Sequence, residues 1–189
     1  MRKSTTKGNF GILLIMKLYR FSPIKSKDDL YEAVRHMHVD AHQLCFNSLG
    51  EHLSVAGNVG VFCHYDDEYR YLLQLRDELV NLDDNWMQKY FALKEPIVFA
   101  TENGIPAATY DYLYIRRPDP YRAQVGDIDF YLTPEKYAKL RDEMKAGKVV
   151  ENARIFPEER LDMIELHSPD IDTLSYISDT FMRDLAREK

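Results

Sequence analysis

At 189 residues the chain is long enough to bury a core without disulfide or metal staples, and its 45% apolar and 30% charged content excludes disorder. A formal net charge of −6, with basic residues scattered along the chain, excludes a generic nucleic-acid binder, which needs a basic face to displace counterions. Two cysteines, Cys45 and Cys63, exclude a secreted disulfide framework, and no run approaches the ~20 apolar residues of a membrane span, so the sequence reads as cytoplasmic.

Residues 1–15 carry a basic, polar leader (Arg2, Lys3, Lys7) and a short apolar run, 12–16, without a small-residue cleavage site. They are expected to be an extension, with Met16 opening one globular domain, 16–189. Residues 17–21 alternate apolar and polar like a half-buried strand, and Pro23 ends it. Ser26, followed by Asp28 and Asp29, starts a helix. Leu30, Val34, Met37, Ala41 and Leu44 form its apolar stripe, and Gly50 lies just past its end. A strand at 59–65 and a helix at 66–79 follow, then strands at 90–99 and 110–116 and another at 125–132. Thr133 and Pro134 open a helix that stops before Gly147. Strands are expected at 149–156 and 161–167, a short strand at 173–177, and a charged helix at 179–188.

Two stretches recur. Leu75-Arg-Asp-Glu-Leu79 returns as Leu140-Arg-Asp-Glu-Met144, and residues 110–119 share with 161–170 an Asp at the second place, apolar residues at the fourth and sixth, and a closing Pro-Asp. The fold expected from this order is α/β (α+β): two repeated strand–helix–strand–strand units, 59–120 and 121–178, forming a mixed sheet packed on helices. A strand–helix segment (16–58) precedes them and a C-terminal helix (179–189) follows. Because side chains alternate across a sheet, one face is expected to carry Cys63, Tyr112, Tyr114, Arg116, Asp127, Asp129, Glu165 and His167.

Paired units of this kind with Asp-closed turns resemble the vicinal oxygen chelate, or glyoxalase-like, superfamily over roughly 59–177. The resemblance implies a cup whose concave side admits a small molecule, with a divalent metal held by His and Glu residues. Here Asp127, Asp129, Glu165 and His167 would take the metal, and Arg116, Tyr112, Tyr114 and Cys63 would line the ligand. The sequence departs from the family pattern in lacking both its Asp-Pro-x-Gly turn and a Glu in the strand after residue 170. Such an ion would serve a lyase, isomerase or dioxygenase.

A competing metal set, His38, His42 and Cys45, falls along one edge of the first helix. Two other functions stay open: a homodimer or adaptor module that uses the tyrosine-rich face, and a nucleotide- or phosphate-binding domain that uses the arginine turn at 116–122. No Gly-x-Gly-x-x-Gly, phosphate loop or Gly-x-Ser-x-Gly elbow is present.

Overall fold

Ser26 caps the first helix as its position predicts: its Oγ accepts from the Asp29 N–H at 3.0 Å. Helix α1 then runs Lys27–Leu49, and Gly50 closes it in the left-handed region at φ +75°, where a side chain would be strained. Its stripe Leu30, Val34, Met37, Ala41 and Leu44 is fully buried, worth about 1.5–3 kcal/mol for each large side chain. The computed structural model describes residues 24–84, 89–119, 121–157 and 162–187, so the expected strand at 17–21 lies outside the described residues.

The remaining elements are β1 (Ser54–Phe62), α2 (Asp66–Leu79), β2 (Phe91–Phe99), β3 (Ala108–Arg116), β4 (Gly126–Tyr131), α3 (Pro134–Lys145), β5 (Ala153–Pro157), β6 (Asp162–Leu166), β7 (Thr173–Ser178) and α4 (Met182–Arg187). The strands form one seven-stranded mixed sheet, ordered β2-β3-β1-β4-β7-β6-β5. At its centre β1 and β4 run antiparallel, and each has a parallel neighbour on its outer side, β3 beside β1 and β7 beside β4. The fold is thus a mixed α/β arrangement of the expected class.

Three details differ from the sequence reading. The motif match aligned β3 with β6, but by pairing β3 corresponds to β7, the strand parallel and adjacent to the opening strand of its half. Pro-Asp turns end strands of several kinds, so the motif did not carry the pairing. In addition β1 starts at Ser54, across the expected boundary at 58/59.

The third detail is the pleat phase of β1. A bulge shifts its register against β4 between Val55 and Val59, and Gly57 sits there at φ +101°. Val59 and Val61 therefore lie level with Leu113, Ile115 and Ile128 on the face packed against α1, α2 and α3. Asn58, Gly60 and Phe62 occupy the opposite, polar face with Tyr112, Tyr114, Arg116 and Asp127. Cys63 follows Phe62 into the core, 1% exposed, and does not line the polar face as expected.

Helices α1, α2 and α3 contribute Met37, Leu72, Leu75, Tyr137 and Leu140 to the main core. Helix α4 packs on the other side of the sheet, where Met182 joins Tyr90 and Tyr112 in a second apolar cluster. Among the described residues, no helix is long and apolar enough to cross a membrane.

Candidate functional site

The polar face is built around two carboxylates on β4. Asp127 lies level with Gly60 and Leu174, and Asp129 with Tyr176, so both project from the middle of the sheet rather than from an edge. Gly60 makes room for the first of them: a Cβ there would fall inside contact distance of Asp127 Oδ1. Asp129 is held by Asn58, whose Nδ2 donates to Asp129 Oδ2 at 2.7 Å. Asp127 Oδ1 and Asp129 Oδ1 are enclosed and without a hydrogen-bond partner among the described residues.

Enclosure makes ionisation costly. Burial, then the neighbouring Asp127 charge, pushes Asp129 up to about 7. Burial also raises Asp127, against the pull of Lys89, Arg116 and Arg122. Three phenols, Tyr90, Tyr114 and Tyr176, surround the pair; burial, reinforced by the nearby carboxylates, raises each of them. Lys89 Nζ lies over the rings of Tyr90 and Tyr114 at 4.9 and 4.8 Å. Arg116 crosses the Phe62 ring at 5.0 Å and reaches Asp119 at 3.4 Å, and Arg122 approaches the same carboxylate at 3.7 Å.

Two clefts are lined by other residues of this face, and neither is lined by Asp127 or Asp129 themselves. One, of about 680 Å³, is walled by Arg76, Lys89, Tyr114, Arg116 and Arg117 and by Tyr69 and Tyr121. The other, of about 350 Å³, is walled by Arg122, Gln124, Arg154, Phe156, Glu165 and His167.

The structure places Tyr114, Arg116, Asp127, Asp129 and Glu165 on one face, in agreement with the alternation read from the sequence, while His167 lies just past β6 on the wall of the smaller cleft. Tyr112 shares the face but packs beneath α4, so it does not line an open cup. Cys63 is in the core, where burial pushes its thiol up, the opposite of an activated nucleophile. Asn58, Lys89, Tyr90, Tyr176 and Arg154 are not among the residues the sequence singles out, whereas Arg122 belongs to its arginine turn. Asn58 and Gly60 carry no readable signal, since β1 is buried on both faces and the bulge between Val55 and Val59 resets its alternation; Tyr176 becomes visible only once β7 is paired with β4.

Asp127, Asp129, Glu165 and His167 do not fit one ion as arranged. Arg154, opposite on β5, holds Glu165 Oε1 through its Nε and Nη2, both at 2.7 Å, and His167 is exposed. Among the described residues, the one trio of His, Cys, Asp or Glu whose ligand atoms lie within 4.8 Å of one another is elsewhere, on α1 and the approach to β7.

The alternative set does not form a site either. His38 is buried, and its Nδ1 meets the Tyr110 hydroxyl at 2.9 Å. His42 packs against His38, His52 and Phe130, and neither of its ring nitrogens has a hydrogen-bond partner among the described residues. Cys45 turns to the Glu51 carbonyl, and burial pushes its thiol up to about 11. Burial lowers His38 to about 4 and His42 to about 3, so both are neutral core side chains at physiological pH. A buried imidazole without partners costs stability. His42→Leu is therefore expected to raise stability at pH 7 by about 1 kcal/mol and to flatten the acid side of the stability profile. Urea titrations at pH 5 and 7 check this; a less stable variant would mean that ring packing against His38, His52 and Phe130 outweighs the cost of the unmet nitrogens.

No family model matches the chain, and no curated protein matches it in sequence. In fold it resembles the structural-genomics protein EC4020: the two superpose with a TM-score of 0.57 over 93% of this chain and 99% of that one, at 15% identity. That likeness concerns the fold alone. A methylmalonyl-CoA epimerase from Streptomyces coelicolor, in complex with 2-nitronate-propionyl-CoA, aligns with 67% of this chain and 98% of its own at 13% identity, but with a TM-score of 0.28 it bears on nothing further.

Proposed function

We propose that the polar face of the sheet binds a small anionic molecule, a carboxylate or phosphate, and that Asp129 exchanges a proton with it in an isomerase- or lyase-type reaction. The observation that carries this is the Asp127–Asp129 pair, buried at Asp127 and partly buried at Asp129, with Asp129 brought to about 7 near phenols and cations. A carboxyl group poised near neutrality both accepts and returns a proton at physiological pH. Lys89 and Arg116, both on the larger cleft, attract and orient the anion, and the neighbouring phenols donate to oxygens on which charge develops. Perturbed titrating groups beside a cleft are a physical signature of a working site. No step is assigned to a metal ion here, because the four acidic and imidazole candidates do not converge.

The test is a panel of small carboxylates and phosphates screened by protein NMR against the full chain. Binding should perturb resonances of β3 and β4 and weaken about 10-fold or more in Arg116→Gln, as expected for loss of a charged anchor. Asp129→Asn should still bind the same compound but no longer exchange its acidic C–H with deuterated solvent. If no compound perturbs this face, and the protein instead dimerises with concentration so as to cover it, the face is an interface and the proposal fails.

A further inference from the structure

A separate cluster joins the first helix to the sheet. His36 and Asp40 stand one turn apart on α1, and Asp172 precedes β7 with its main-chain carbonyl accepting from Val125 N–H at 2.8 Å. His36 Nε2 lies 3.1 Å from Asp172 Oδ1 and 3.3 Å from Asp40 Oδ2. One Nε2 carries at most one proton and cannot serve two carboxylates with good geometry. Asp172 is 2% exposed, and its Oδ2 is buried without a hydrogen-bond partner among the described residues. A buried carboxylate so under-served is costly unless a cation completes it. The two separations from His36, 3.1 and 3.3 Å, also suit an ion, since ligands about 2.0–2.2 Å from a tetrahedral or octahedral centre lie roughly 3.0–3.4 Å from one another, and the three ligand atoms all lie within 4.8 Å.

We infer that His36, Asp40 and Asp172 bind one first-row divalent cation of the zinc–manganese class, clamping α1 to the start of β7. One imidazole with two carboxylates selects such ions over calcium, which takes six to eight oxygen ligands. His36 and Asp40 are about one-quarter exposed, so the ion enters from solvent and water fills its remaining positions. This site is distinct from the polar face, since α1 packs on the opposite side of the sheet.

Tag-free full-length protein is titrated with Co²⁺, which reports coordination by visible absorption, and then with Zn²⁺ in competition. One equivalent of Co²⁺ should saturate the wild type and raise its Tm. The affinity should fall about 10-fold or more in Asp40→Asn and in His36→Gln, at least the cost of disturbing an outer-shell partner. These two variants alter partly exposed side chains and spare buried Asp172, whose replacement risks the fold. Absence of Co²⁺ absorption, or unchanged affinity in both variants, overturns the inference and leaves a hydrogen-bonded His–Asp cluster. Loss of binding in Glu165→Ala instead would also overturn it, by moving the ion to the polar face.

Discussion

Gly126→Ala is expected to lower stability by about 3 kcal/mol, at the upper end of what overpacking a close-packed core costs. Gly126 begins β4 and pairs with Val61 of β1, at the antiparallel seam that joins the two halves of the sheet. A Cβ there would overlap both the Met37 sulfur from α1 and the Gly60 carbonyl oxygen of β1. Met37 is flexible and could turn aside. The Gly60 carbonyl is backbone held in the central strand and could move only by opening the β1–β4 pairing. Adding Met37→Ala should therefore not rescue Gly126→Ala. The sign is informative, because Gly→Ala at an unstrained position ordinarily stabilises by about 0.4–1 kcal/mol through the unfolded chain. Urea unfolding should show a lower midpoint at unchanged slope. A midpoint equal to or above the wild type's would mean that the seam is looser than described.

Much of the fold was legible because local chemistry and tertiary packing agree along most of the chain. Ser26 and Pro134 mark helix starts whose capping chemistry is local, and α2 and α3 begin and end where acidic, proline and glycine signals put them. The alternation Asp127-Ile128-Asp129-Phe130 was readable for the same reason: buried Ile128 and Phe130 can face only the helices. The phase of β1 was not readable by alternation alone. Its residues are buried on both faces, so hydrophobicity no longer distinguishes them, and the bulge at Gly57 resets the count. Strand pairing was hidden for a different reason. That β7 lies beside β4 is a matter of crossover topology, on which the turn residues of β6 are silent. The cluster on α1 required pairing too: the spacing of His36 and Asp40 is visible in the sequence, but Asp172 is 132 residues beyond Asp40 and joins them only through the fold.

Asp129→Asn should separate stability from activity, because its expected effect on stability is favourable and depends on pH. Below about pH 4 the carboxyl is protonated in both folded and unfolded chains and has no linkage effect. Between about 4 and 7 the folded protein keeps a proton that the unfolded chain has released, so stability falls as pH rises. Above about 7 the side chain is ionised in both states and the whole cost remains, up to about 4 kcal/mol. His38 and His42 act with opposite sign: their neutral folded forms lose stability as pH falls below about 6.5, where the unfolded imidazoles protonate first. In the wild type the two trends oppose each other between about pH 4 and 6.5, which keeps the profile shallow there. Asparagine keeps an oxygen to accept from Asn58 Nδ2 and removes the ionisation. The variant should match the wild type within about 1 kcal/mol near pH 4, gain on it progressively to about pH 7, and show a steeper acid decline. Urea midpoints at pH 5, 6.5 and 8 measure the gap directly. A gap that stays constant across that range would mean that Asp129 titrates as an ordinary carboxylate, and the proton-exchange role would fall with it. A widening gap together with loss of solvent exchange in the bound compound would show that Asp129 is kept at a cost to stability because its proton is used.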